Sequence, residues 1–286
     1  MTEFTDYQEM RQHIGRLHKQ GQYAEAAAIL EKALPQFPEH LLANSYNLAY
    51  FYALVERYEE SMRALRHGID HGIWYGLWVL DQEVWNPLRD RADFAEVVAT
   101  SAALREKAQQ DARPELVVET PEGYGPEKRY PLFFALHGGG EKRTDFQPHW
   151  RSPRLNTEFI VAFLQSGLVA SMDGFWWGEP GYALGEVTAA YEQISREHRI
   201  DPAAILVGGF SDGGRAAIEI ALDPGTLPIH SFIALCPPVP KDLTSEAATA
   251  VVAAAAARGL RGTLLSTEMD PRLAAQQEMA LSLIHI

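Results

Sequence analysis

The chain has 286 residues, 47% of them apolar, and a formal charge of −13. That length suffices for two domains, and that apolar share excludes general disorder. The acidity argues against nucleic acid and anionic membrane surfaces as partners.

The start, "MTEFTDYQEMRQH", lacks the basic and apolar regions of a signal peptide. One cysteine, Cys236, makes no internal disulfide, and no apolar run has membrane-spanning length. A soluble cytoplasmic protein is expected, with Cys236 as a buried structural residue.

Residues before about 112 read as helices only. "GQYAEAAAILEKALPQFPEH" and "ERYEESMRALRHGIDHG" align without gaps, with Tyr23 and Tyr58 set 35 apart. Ala26 then matches Ser61, Leu30 matches Leu65 and Ala33 matches Gly68. A weaker third unit, "ADFAEVVATSAAL", puts Phe94 in the tyrosine place. A period near 34 with a Gly-x-Tyr-x-x-Ala core resembles the tetratricopeptide repeat. The resemblance implies stacked helix pairs and, as one reading, a protein partner for them. His67 and His71 have metal-ligand spacing but no evident third ligand, so a solvated face is the expectation.

From Arg113 the pattern alternates. "ELVVET", "RYPLFFAL", "GLVASMDG", "AAILVGGF", "SFIALCPP" and "GTLLSTEMD" read as strands. "GEVTAAYEQISREHRI", "GRAAIEIAL", "EAATAVVAAAAARG" and a segment from "PRLAAQQEMA" read as helices. Apolar strands alternating with helices predict an α/β fold with a mostly parallel sheet covered on both faces. Right-handed crossovers then gather the strand C-terminal ends, and the loops that carry chemistry, on one edge.

Three of those loops hold reactive or anion-binding groups. Gly209-Phe210-Ser211-Asp212-Gly213 is a G-x-S-x-G between strand and helix, which holds a serine nucleophile in a sharp strained turn. The backbone N–H of Asp212 is the expected first oxyanion donor. His137-Gly138-Gly139-Gly140 follows a buried strand, and Gly138 or Gly139 supplies the second donor. His137 itself reads as a loop anchor. In "LLSTEMDPRL", Asp270 ends a strand in the place of the triad acid. Glu268 is the weaker choice. Asp270 before Pro271 also reads as a plain helix cap.

Residues 113–280 thus resemble the α/β-hydrolase family, in the branch of phospholipase/carboxylesterases, feruloyl esterases and polyhydroxyalkanoate-depolymerase-like proteins. "YPLFFALHGGG" and "REHRIDPAAILVGGFSDGGRAAIEIAL" carry the resemblance. It implies a doubly wound sheet and a serine hydrolase with a Ser-His-Asp triad. The substrate would be a small ester or acyl compound, with no cofactor and no metal. Trp176 and Trp177, in "DGFWWGEPGY", could wall an acyl or aromatic pocket, with Tyr182 beside them, or could be core. A peptidase of the same fold, or a non-catalytic scaffold beside a binding module, are the competing readings.

The base is the missing part. The family's histidine follows one further strand after the acid, yet only fifteen residues separate Asp270 from His285. A helix from Pro271 consumes most of them. The tail "LSLIHI", residues 281–286, resembles the in-frame translation of a transposon end sequence used in sequencing libraries. The expected organisation is a helical-repeat domain over 1–112, a C-terminally truncated hydrolase domain over 113–280 and a non-native tail over 281–286. The chain as given is then expected to be weak or inactive.

Overall fold

Tyr23 and Tyr58, paired by the internal alignment, each open a helix. In the computed structural model, α1 (Tyr7–Lys19) precedes α2 (Tyr23–Gln36), and α3 (Leu41–Leu54) precedes α4 (Tyr58–Asp70). The structure describes residues 4–179, 181–240, 243, 246–268 and 270–283. The aligned residues are buried in both pairs: Ala26 and Ser61, Leu30 and Leu65, Ala33 and Gly68. The turns match too. Gly21 (φ 72°) and Glu56 (φ 60°) hold equivalent left-handed positions. In each, the next N–H reaches back five residues, Gln22 to Leu17 and Arg57 to Tyr52. This is the helix stop that glycine favours, because it has no Cβ to clash. Glu56 adopts it without that freedom.

A short α5 (Leu77–Leu80), a 3₁₀ turn over Glu83–Leu88 and α6 (Ala92–Asp111) follow. Trp85, Leu88 and Phe94 join the core there. The chain divides into two compact units, Met1–Gln110 and Asp111–Ile286.

The second unit is built on a six-stranded sheet of order β1-β3-β2-β6-β7-β8. Its strands are β1 (Glu115–Glu119), β2 (Tyr130–Leu136), β3 (Ile160–Gln165), β6 (Ile200–Phe210), β7 (Ser231–Leu235) and β8 (Arg261–Leu265). All neighbours pair in parallel except β1, which runs antiparallel to β3. The central strands β2 and β3 are buried on both faces, which is why they read as continuous apolar runs, whereas β8 is largely exposed. Leu132, Phe134 and Leu136 of β2 face one core, and Phe133 and Ala135 face the other with Phe146 and Phe163. Short helices α7 (Arg143–Phe146) and α8 (Pro153–Glu158) lie between β2 and β3. Longer ones, α9 (Tyr182–Glu197), α10 (Asp212–Leu222), α11 (Glu246–Ala257) and α12 (Leu273–Ser282), complete the layers. This is an α/β-hydrolase fold, and β8 is an edge of its sheet among the described residues.

One expectation needs correcting. "GLVASMDG" is not the third strand of the main sheet. Its strand β4 (Leu168–Ser171) pairs antiparallel with β5 (Gly174–Trp176) in a separate hairpin. The sheet position belongs to β3, in "IVAFLQ", which slots between β1 and β2. The two apolar runs lie almost end to end in sequence. Only the long-range pairing distinguishes them, and β3 is the fully buried one. At the other end, α12 runs on through Leu281 and Ser282, and Leu283 is buried in the core.

Candidate active site

Ser211 sits between β6 and α10 with φ 51° and ψ −117°. A non-glycine residue there is strained, by about 1–3 kcal/mol. The strain persists because both flanks are fixed. The Ser211 N–H donates to the Leu235 carbonyl at 2.8 Å, and its own carbonyl accepts from Arg215 N–H at 3.0 Å. Gly209 and Gly213 make the turn possible by contact. A Cβ on Gly209 would run into the Gly213 carbonyl, and one on Gly213 into the carbonyls of His137 and Leu136.

That close approach brings the glycine loop to the serine turn. A Cβ on Gly139 would lie 3.3 Å from the Asp212 Cβ. Gly138 donates its N–H to the Glu141 carboxylate at 2.8 Å. Gly140 donates to the Phe175 carbonyl at 2.8 Å, so the β4–β5 hairpin braces the loop. Gly139 therefore lies against Asp212 with its N–H uncommitted among the described residues, while that of Gly138 is engaged.

His137 is fully buried, and its ring nitrogens are both used. Nδ1 donates to the Gly138 carbonyl at 2.7 Å, and Nε2 accepts the Ser166 N–H at 3.1 Å. Burial pulls its pKa down to about 4, so the ring is neutral. It anchors the loop.

The two tryptophans part company. Trp177 is fully buried, with its indole N–H on the His137 carbonyl at 2.8 Å. It supports the glycine loop from within the core and cannot wall an open pocket. Trp176 is exposed, as are Phe210 and Tyr182.

The Asp212 side chain forms a feature absent from the sequence reading. One oxygen accepts the Trp177 N–H at 2.9 Å and the other accepts Arg215 Nε at 2.8 Å. Its spacing to Arg215, one helical turn, was the available signal.

Asp270 lies in the loop between β8 and α12, its side chain only 5% exposed, whereas Glu268 is exposed. Four donors meet its carboxylate: Arg272 N and Nε on Oδ1, and an Arg272 terminal nitrogen and Gln276 Nε2 on Oδ2. The Arg272 hydrogen bonds hold its pKa far below the usual carboxylate range. The bond from Arg272 N–H, two residues on, closes a turn ahead of the helix, and the cap that "DP" suggests is not formed: α12 begins at Leu273 with Arg272 as its N-cap and no side-chain cap bond. Arg272 also reaches the Cys236 carbonyl at 3.1 Å and Gln276 the Pro237 carbonyl at 2.9 Å. Asp270 is thereby tied to the loop after β7, the strand whose end holds Ser211.

Among the described residues no histidine bonds to Ser211 or Asp270. His198 and His230 precede β6 and β7, at the strand ends opposite Ser211, and His198 pairs with the Tyr124 hydroxyl. His149 is exposed in the β2–β3 connection. His285 lies outside the described residues. In the helical unit, His71 Nδ1 donates to the His67 carbonyl at 2.7 Å. No helix among the described residues is long and apolar enough to cross a membrane.

No family model matches the chain, and no curated protein matches it. Solved structures do resemble it. An uncharacterized protein from Bacillus cereus shares 20% identity across 98% of this chain and 89% of its own, with a TM-score of 0.48. A thermostable esterase shares 17% across 58% of this chain and 56% of its own, with a TM-score of 0.41. A thermophilic esterase from the planctomycete Thermogutta terrifontis, with propionate bound, shares 14% across 60% and 88%, with a TM-score of 0.38.

Proposed function

We propose that the second unit is a serine hydrolase acting on an ester or related acyl bond. The observation that carries this is the strained Ser211 at a strand-to-helix turn, with Gly139 packed against Asp212. Strain of this kind is kept where it aims a side chain. Ser211 Oγ attacks the acyl carbon, and its proton passes to an imidazole base. The Asp212 and Gly139 N–H groups hold the oxyanion. Returning the proton to the leaving group releases it, and water then cleaves the acyl-enzyme by the same route.

The base in this reading is a histidine oriented by Asp270, and none of the described histidines takes that place. A carboxylate has about four lone-pair sites, and four donors already occupy those of Asp270. An imidazole must displace one. Arg272, with its side chain 40% exposed, is the donor that can turn to solvent. The same saturation favours a second reading, in which the unit is a non-catalytic scaffold and the helical unit binds a protein partner. A groove of about 370 Å³ in that unit supports the partner. It is lined by Tyr7, Arg11, Asn44, Tyr46, Tyr50 and Gln82, and the buried Asn44 Nδ2 has no hydrogen-bond partner among the described residues.

A fluorophosphonate probe and a short activated ester separate the readings. Hydrolysis requires covalent labelling that Ser211→Ala abolishes, with ester turnover lost in the same variant. Labelling or turnover that survives Ser211→Ala refutes this site.

A further inference from the structure

Arg215 stands in the first turn of α10, where a cation opposes the positive end of the helix. Its side chain is also only 14% exposed. Such a placement costs stability unless something compensates for it, and local rules are broken most often at functional sites.

The compensation is a complete set of partners. Nε and one terminal nitrogen hold Asp212 Oδ1, at 2.8 and 2.7 Å. The same terminal nitrogen reaches the Gly178 carbonyl at 2.8 Å. The other holds both oxygens of Glu219, at 2.8 and 2.7 Å. A planar fork fixes these three partners relative to one another, which an ammonium, a point charge, does not.

From there contacts run to the glycine loop. Asp212 Oδ2 accepts the Trp177 N–H, so the Trp177–Gly178 segment is held at two consecutive residues. The Trp177 indole donates to the His137 carbonyl, and that carbonyl abuts Gly213. The circuit begins at the helix bearing one proposed oxyanion donor, Asp212 N–H. It ends at the loop bearing the other, Gly139 N–H.

We infer that Arg215 is a positioning residue for the oxyanion hole, setting the spacing of the Asp212 and Gly139 donors through the Asp212 carboxylate and Trp177. This rests on the hydrolase reading for its catalytic consequence but not for its structural one. Removing an oxyanion donor outright costs about 10²–10³ in kcat. Misplacing it costs less, about tenfold to a hundredfold.

The test uses Arg215→Met, Arg215→Lys and Asp212→Asn in the full chain. Asp212→Asn is nearly isosteric and keeps the backbone donor, so it serves if the arginine variants fail to fold. Turnover of a short activated ester should fall about tenfold or more in kcat with KM within about twofold. Lysine should not rescue it, because charge without the fork is insufficient. Hydrogen exchange should quicken at residues 137–140 and 177–178 while β2 and β6 keep their protection. Rescue by lysine, an unchanged kcat, or uniform loss of protection across the unit would each overturn the inference. Ser211→Ala is measured alongside. If it leaves turnover intact, the hydrolase reading fails; in that case, or where the unsubstituted chain shows no turnover, hydrogen exchange alone decides the role of Arg215.

Discussion

The Glu141 carboxylate accepts the Gly138 N–H at 2.8 Å, three residues back in the chain, closing a tight loop at the edge where Ser211 emerges. A charge-assisted bond of this kind contributes about 1.5–3 kcal/mol. It also commits Gly138, and so separates the two candidate donors. Glu141→Ala should lower unfolding free energy by about 1–2 kcal/mol, measured by urea titration. A change within error would mean the contact is dispensable in solution.

Gly139→Ala should lower ester turnover more than Gly138→Ala does. Its methyl would press on the Asp212 Cβ from 3.3 Å and move the donor pair. The methyl of Gly138→Ala would meet the movable ends of Glu141 and Phe210, at 3.0 and 3.1 Å. The comparison is one of kcat between the two variants, and the reverse order would return Gly138 to the oxyanion hole.

The strain at Ser211 gives a prediction of opposite sign for stability and activity. Ser211→Gly removes a side chain that resists φ 51°. It should raise the unfolding free energy by about 1 kcal/mol while abolishing fluorophosphonate labelling. Loss of stability in this variant would mean that the hydroxyl itself holds the turn.

The His137 imidazole should titrate near pH 4, as seen by NMR of its ring protons. Its folded pKa lies below the ordinary 6.5. Between those values the unfolded chain binds the extra proton, so stability is fully present above about pH 6.5 and is lost as pH falls toward 4. The linkage amounts to about 1.4 kcal/mol per pH unit over that window. A ring that titrates near 6.5 would contradict its burial beneath the loop.

In the helical unit, Glu56→Gly should stabilise by about 0.5–1 kcal/mol. Glycine meets no steric penalty at φ 60°, and Gly21 already fills the equivalent turn. Thermal denaturation of the full chain, followed by probes in residues 1–110, reads the effect.

Much of this was legible in the chain itself, because it rests on local chemistry. A strand, a glycine-flanked serine and a helix specify a sharp turn through the backbone freedom of Gly209 and Gly213. Continuous apolar runs specify strands buried on both faces. Matched small and apolar residues at a 35-residue offset place Leu30 and Leu65 in equivalent buried positions.

Tertiary structure decided what depends on partners distant in sequence. The slot between β1 and β2 went to "IVAFLQ" because its two edges pair with those strands and both its faces are buried in the packed unit. Trp177 became a core support because the His137 carbonyl, 40 residues away, takes its indole proton. Gly138 and Gly139 are chemically identical, and the Glu141 side chain on one and the Asp212 side chain against the other tell them apart. Asp270 was visible as an acid following a strand, but β8 ends at Leu265, and the four hydrogen bonds of Asp270 come from how α12 folds back against the loop after β7. Periodicity and motif report what a segment prefers on its own. Which hydrogen bonds are already taken is a property of the packed molecule.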